Sequence, residues 1–156
     1  MPDLKTFAPQ GMLHEGWTAQ VDDYALACGW TGEGDNLLVG DVAGGLSLFA
    51  GKTGELIWTK NNLHQGGLLA LAIHPKEDRF ATSGQDGCVL IWDGHQGEIL
   101  HSIKPGRGWV EHLAWSASGD MLAVAASKIV HIYHPDGVEK WCTEEHPSTV
   151  SSIAWS

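Results

Sequence analysis

The amino-acid sequence predicts an all-β protein built from repeated four-stranded antiparallel sheets. Three stretches of similar pattern align on one aromatic residue each, Phe49, Trp92 and Tyr133, which recur about every 42 residues. Between them lie runs of four to eight apolar or β-branched residues bounded by Gly, Asp or Ser, the pattern of short strands joined by turns. The 20 glycines and only 6 prolines also favour short strands and tight turns over helices.

Each repeat contains four candidate strands in the same order. The first strands read ALACGWT, LLALAIH and VEHLAWS, and the second lie within DNLLVGDV, DRFATSGQ and DMLAVAAS. The third and fourth strands share the stretches LSLFAGKTGELIW, VLIWDGHQGEILH and VHIYHPDGVEKW. Consecutive strands joined by short turns pair antiparallel, so each repeat is predicted to form a four-stranded meander.

The middle repeat carries motifs that identify a known architecture. It contains LH at 63–64, SGQDG at 83–87 and IWD at 91–93, and with the repeat length these motifs resemble the WD40-repeat β-propellers. The resemblance covers residues 13–156. It implies a partial β-propeller built from four-stranded antiparallel WD40-type blades, of which the first and third have lost the family's dipeptides.

The resemblance divides the chain into six predicted units. They are an N-terminal tail (1–12), a candidate latch strand (13–20), a degenerate first blade (21–60), the best-matching second blade (61–103), a degenerate third blade (104–143) and the inner strand of an incomplete fourth blade (144–156).

The resemblance also implies a buried structural polar set in the second blade, formed by His64, Thr82, Asp86 and Trp92. Asp86 can accept one imidazole N–H, and the Thr82 hydroxyl can bridge the other ring nitrogen to the indole N–H. A His, an Asp and a hydroxyl together resemble a hydrolytic triad, but a Thr buried against Trp92 offers no exposed nucleophile. We therefore predict a structural role.

The other two blades replace this set as a whole. Leaving one member of a buried polar network unpaired costs more folding free energy than replacing all of its members by apolar residues. All-or-none replacement is therefore expected of a structural set. The matching positions hold Val21, Val39, Ala43 and Phe49 in the first blade, and Gly106, Val124, the Ser127/Lys128 turn and Tyr133 in the third.

A candidate partner-binding rim follows from the same alignment. In the family one rim is built from residues that follow the His position and precede the Asp position. Carried over by position, these residues are Asp22, Tyr24, Gln65, Gln85, Arg107 and Trp109. Tyr, Trp and Arg are the types that anchor protein interfaces, and Trp109 could alternatively cap the wall of the central channel.

Charge excludes two classes of partner. The net charge is −10 with nine Lys and Arg, so no basic stripe could neutralise nucleic-acid phosphates or an anionic membrane. No apolar run is long enough to span a membrane and the first residues lack a signal-peptide pattern, so a cytoplasmic protein is expected. Neither a metal nor a cofactor is predicted for the nine histidines.

The three cysteines give no evidence of a disulfide framework. Cys28, Cys88 and Cys142 are odd in number, widely spaced and without C-x-x-C spacing, which also argues against a thiolate zinc site. We expect them to be small buried hydrophobic residues.

The predicted function is a non-catalytic scaffold for protein–protein interaction. The alternative is a ligand-binding or enzymatic propeller that acts through its central channel, for which the inner strands supply only Glu111 and His112 as ionisable groups. No enzymatic activity is therefore predicted.

The last residues, STVSSIAWS at 148–156, repeat the pattern of GWVEHLAWS at 108–116. Three arrangements remain open: a truncated copy of a longer propeller, a half that a second chain completes, and a stable open arc. In the first two, apolar faces at Phe49 and Val39 on one side and Trp155 on the other need a covering partner.

Overall fold

A computed structural model describes residues 16–156, which form twelve strands in three antiparallel sheets. Sheet 1 contains β1 (Ala25–Thr31), β2 (Asn36–Asp41), β3 (Leu46–Ala50) and β4 (Leu56–Lys60). Sheet 2 contains β5 (Leu68–Ile73), β6 (Arg79–Gly84), β7 (Val89–Asp93) and β8 (Glu98–Ile103). Sheet 3 contains β9 (Val110–Trp115), β10 (Leu122–Ala126), β11 (Ile129–Tyr133) and β12 (Glu139–Cys142).

The strand order in every sheet follows the chain, which confirms the predicted all-β meanders. The three sheets also share one irregularity, a bulge where the third strand pairs with the fourth. The register shifts by one residue next to Phe49, Trp92 and Tyr133. A bulge inserts an extra residue and reverses the alternation of side chains beyond it. Two side chains that are three residues apart on the fourth strand, one on each side of the bulge, therefore face the same side of the sheet.

The core lies between neighbouring sheets. Sheet 1 contributes Leu38, Leu46 and Leu48 to one cluster, into which sheet 2 inserts Phe80, Leu90 and Trp92. The opposite side of sheet 2 contributes Ala81, Val89 and Ile91 to a second cluster with Leu122, Val124 and Tyr133 of sheet 3. Sheet 2 is thus covered on both faces, because adjacent residues of a strand point to opposite sides.

The first strands of the sheets are linked by a repeated tryptophan contact. The Trp115 Nε1–H on β9 donates to the carbonyl of Ala72 on β5 at 3.2 Å. The Trp155 Nε1–H donates to the carbonyl of Ala114 on β9 at 2.9 Å. Residue 155 therefore lies against sheet 3 as Trp115 lies against sheet 2. Trp30, at the same position of β1, is 53% exposed.

Residues 16–20, the described part of the predicted latch strand, and residues 144–156 form no strand, since neither segment pairs with a second strand in a ladder. The tail at 1–12 and residues 13–15 lie outside the described residues. Trp17 nevertheless packs on sheet 1: its ring centroid is 6.1 Å from that of Phe49, and its Nε1–H donates to the carbonyl of Gly51 at 2.7 Å.

The outer face of sheet 1 differs from the expectation. Phe49 is buried because Trp17 covers it, whereas the sequence suggested an uncovered face there. The exposed apolar side chains of sheet 1 lie instead on its two edge strands, at Leu26 and Trp30 of β1 and at Leu56 and Ile57 of β4. The predicted unit boundaries stay a prediction.

The expectation for the cysteines was wrong. Cys28 and Cys142 are exposed and Cys88 is partly buried, all three as free thiols. Cys28 lies on β1, on the side of sheet 1 that no other described sheet covers, and Cys142 lies on β12, the outermost strand of sheet 3. No helix among residues 16–156 is both long and apolar enough to cross a membrane.

Candidate functional site

The structure brings the four residues of the polar set together inside sheet 2. His64 Nδ1 lies 3.1 Å from Asp86 Oδ1, and His64 Nε2 lies 2.9 Å from the Thr82 hydroxyl. The Trp92 Nε1–H donates to the same hydroxyl at 2.9 Å. The pattern is consistent when Nδ1 carries the imidazole proton, because the Thr82 O–H then donates to Nε2 while its oxygen accepts from the indole.

Backbone groups complete the set around Asp86. The Cys88 N–H donates to Oδ1 at 3.0 Å, and the Gln65 N–H donates to Oδ2 at 3.2 Å. Burial by itself raises the pKa of Asp86, but these hydrogen bonds and the one from His64 outweigh it, so the pKa lies below its ordinary value of 3.8. The carboxylate therefore fixes both the loop before β5 and the turn between β6 and β7.

The arrangement is not that of a nucleophile with its base. The Thr82 hydroxyl is fully buried and is occupied by His64 and Trp92, whose ring stacks on Phe80 with centroids 5.6 Å apart. A catalytic hydroxyl must reach a substrate. The geometry instead satisfies each buried polar atom and locks Trp92 into the core between sheets 1 and 2.

The candidate rim lies at the turns where each first strand begins. In each sheet, a backbone N–H in the turn between the second and third strands donates to a carbonyl. That carbonyl belongs to the residue immediately before the first strand. These bonds join Val42 to Tyr24, Gln85 to Gly67 and Ser127 to Trp109, at 3.0, 3.1 and 3.2 Å. Tyr24, Gly67 and Trp109 therefore occupy equivalent positions. The two aromatic side chains are 82% and 51% exposed.

The other four predicted rim residues, Asp22, Gln65, Gln85 and Arg107, are also exposed. Neighbouring turns touch: a Cβ on Gly87 would lie 2.5 Å from the carbonyl oxygen of Gly108, so the turn of sheet 2 packs directly on the loop that leads into sheet 3. Such close backbone contacts keep the rim positions of adjacent sheets side by side.

Trp109 borders a cleft of about 420 Å³ at this edge. Gly108, Glu111, Ser127 and Thr149 form the rest of its lining. Glu111 is one of the two ionisable residues predicted on the inner strands, and the structure places it beside the rim. His112, the other one, is its neighbour on β9, and adjacent strand residues point to opposite sides of the sheet.

Three such sheets, each a four-stranded meander packed face to face on the next with its first strand beside that of its neighbour, define a protein of the β-propeller class. The family model "WD domain, G-beta repeat" matches residues 55–93, the segment that contains all four residues of the polar set. The matched segment is therefore a WD40 repeat that includes most of sheet 2, and sheets 1 and 3 repeat its four-stranded fold.

Known proteins of this kind are similar to parts of the chain. It is 40% identical to mitotic checkpoint protein BUB3.1 of Arabidopsis thaliana over 58 residues, which are 37% of this chain and 17% of that protein. It is 32% identical to the guanine nucleotide-binding protein subunit beta of Nicotiana tabacum over 60 residues, 38% of this chain and 16% of that protein.

Solved structures extend the similarity over most of the chain. The RRP9 WD40 repeats superpose with a TM-score of 0.77 at 14% identity, covering 84% of this chain and 42% of that chain. A chain of the mitotic checkpoint complex superposes with a TM-score of 0.75 at 20% identity, covering 88% of this chain and 42% of that chain. At these identities the similarity shows the fold. The chain spans less than half of either structure.

Our first prediction concerns the coupling within the polar set. Asp86→Ala should lower the free energy of unfolding by about 1–3 kcal/mol, because His64 Nδ1–H loses its acceptor inside the fold. The double change His64→Leu, Asp86→Ala should cost clearly less than the two single changes added together. Urea denaturation of the four proteins measures this, and strict additivity would show that the two side chains are not coupled.

A second prediction follows from the lowered pKa of Asp86. A carboxyl whose pKa is lower in the folded than in the unfolded state stabilises the fold above its unfolded pKa, and the effect disappears as pH falls through the folded value. The difference in unfolding free energy between wild type and Asp86→Asn should therefore be constant near neutral pH and shrink below the ordinary value of 3.8. A difference that stays unchanged in acid would contradict the assignment of the charge.

Proposed function

We propose that the chain is a non-catalytic scaffold that binds another protein through the rim carrying Tyr24 and Trp109. The observation that carries this proposal is the exposure of two aromatic side chains at equivalent positions of sheets 1 and 3. Sheet 2 has Gly67 at that position and forms the same turn-to-strand hydrogen bond without a side chain. The fold therefore does not require an aromatic ring at this position. Binding of a partner is the simplest reason why Tyr24 and Trp109 are both aromatic and exposed.

Charge favours a partner segment with basic residues. Asp22 and Asp23 adjoin Tyr24, and Glu111 lines the cleft beside Trp109. Arg107 is the one cation among the six predicted rim residues, and the whole chain carries a net charge of −10. Complementary charge steers association, while buried aromatic anchors supply most of the affinity.

The relatives support an interaction role over an enzymatic one. Their names describe a checkpoint protein and a subunit of a guanine nucleotide-binding protein, and one superposed chain belongs to a complex. Three free cysteines that form no pair suit the reducing cytoplasm, which is the location we propose.

We further propose that the two outermost faces of the arc pack against additional blades of the same type. Trp155 already lies on sheet 3 as the first strand of a following blade would, and Trp17 covers part of sheet 1. Among residues 16–156, no first strand precedes β1 to offer Trp30 the carbonyl that Trp115 and Trp155 each find. Further blades of a longer propeller, a second copy or another polypeptide would supply that strand.

The rim proposal predicts a local effect of Trp109→Ala. Loss of an exposed anchor should weaken binding of a captured partner by about 2 kcal/mol, roughly thirtyfold, with unchanged melting. Ile99→Ala is the control, because Ile99 is 49% exposed but lies on β8 of sheet 2, away from both the rim and the outermost faces. Calorimetric titration of both variants measures the effect, and an equal loss from the two changes would remove the rim from the proposal.

The open faces predict association in solution. If a second copy covers them, analytical ultracentrifugation of the purified chain should give a species heavier than 16.8 kDa, and Trp30→Ala should return it to monomer. If another polypeptide supplies the blades, the chain should be a monomer that binds a hydrophobic dye. A compact monomer without dye binding contradicts the proposal.

A further inference from the structure

On the side of sheet 3 that faces sheet 2, three metal-ligating groups converge on the last two strands. His131 on β11 lies directly opposite Cys142 on β12 in the antiparallel ladder. Its Nδ1 lies 2.6 Å from Oε1 of Glu139. One donor atom from each of the three residues lies within 4.8 Å of the other two.

The bulge of β12 is what brings the third group in. Glu139 and Cys142 are three residues apart, so in a regular strand they would face opposite sides of the sheet. The register shift between Ile132 and Tyr133 pairs Glu139 with Tyr133, and Tyr133 lies on the same side of β11 as His131. The sequence spacing alone therefore does not predict that Glu139 and Cys142 face the same side.

The other two sheets show that the scaffold does not need these residue types. The positions of His131, Glu139 and Cys142 correspond to those of Leu90, Ile99 and Ser102 in sheet 2 and of Ser47, Leu56 and Thr59 in sheet 1. The third-strand residue is 8% exposed in all three sheets. The same fold thus accepts two aliphatic residues with one hydroxyl in sheet 2, one aliphatic residue with two hydroxyls in sheet 1 and, in sheet 3, an imidazole, a carboxylate and a thiol.

We propose that His131, Glu139 and Cys142 bind one Zn²⁺ ion, with water as the fourth ligand. An N/O/S donor set is typical of zinc, and three protein ligands leave one position open. Bonds of about 2.0–2.3 Å require donor atoms about 3.3–3.8 Å apart. Glu139 must therefore withdraw by less than about 1 Å, which its 45% exposed side chain permits.

The proton balance is simple. Nδ1 of His131 now donates to Glu139, so on metal binding the imidazole proton moves to Nε2, and the Cys142 thiol releases its proton to solvent as the thiolate forms. Glu139 then ligates as a carboxylate. The ion would fasten β12, an edge strand, to β11 and so stabilise the outer edge of sheet 3.

The test uses the full chain, freed of metal with a chelator, and titrates it with Co²⁺ and then Zn²⁺. We expect one equivalent of Co²⁺ to produce thiolate-to-metal charge-transfer absorption, which Zn²⁺ abolishes by displacement. Cys142→Ser should remove this absorption, and His131→Leu, which introduces the residue found in sheet 2, should weaken Zn²⁺ binding at least about tenfold. Cys28→Ser, at another exposed cysteine, should change neither result.

A second measurement needs no variant and so does not depend on whether a variant folds. Zn²⁺ should protect Cys142 from alkylation while Cys28, which is also exposed, remains reactive, as read by peptide mass spectrometry. Co²⁺ bound without thiolate absorption, or equal alkylation of both cysteines in the presence of Zn²⁺, would overturn the proposal.

Discussion

The structure depends on the packing of each sheet against its neighbours. A four-stranded sheet whose strands are apolar on both sides cannot bury both faces alone, so its stability comes from its neighbours. Sheet 2 shows the complete arrangement: Phe80 and Trp92 enter the core with sheet 1, while Ala81 and Ile91 enter the core with sheet 3. Sheets 1 and 3 have one such neighbour among the described residues.

This constraint explains why the polar set occurs where it does. In sheet 2 the set orients Trp92 and ties the loop at His64 to the turn at Asp86, so it acts within a blade that is packed on both sides. In sheet 1 the position of Trp92 is filled by Phe49, which Trp17 covers instead. In sheet 3 it is filled by Tyr133, whose pKa burial raises to about 12, with the nearby negative charges of Glu139 and Cys142 adding to the effect.

Repetition made most of the fold predictable from sequence. The recurring aromatic fixed the alignment of the three repeats, and alternation of apolar residues then indicated all twelve strands. The contacts of the polar set were implied by the resemblance to WD40-repeat propellers, which assigned His64, Thr82, Asp86 and Trp92 by position. What could not be predicted depends on features with no sequence pattern: the placement of Trp17 on Phe49, the exposure of Cys28 and Cys142, and the bulge that turns Glu139 toward His131.

The central claim, that covering by neighbouring sheets determines local stability, is tested most directly by amide hydrogen exchange. Exchange reports local opening free energies strand by strand. Because sheet 2 is covered on both faces, the amides of β6 and β7 should exchange most slowly. The amides of β2 and β3 in sheet 1 and of β10 and β11 in sheet 3 should exchange faster. Exchange in sheet 2 that is as fast as in both flanking sheets would contradict this claim.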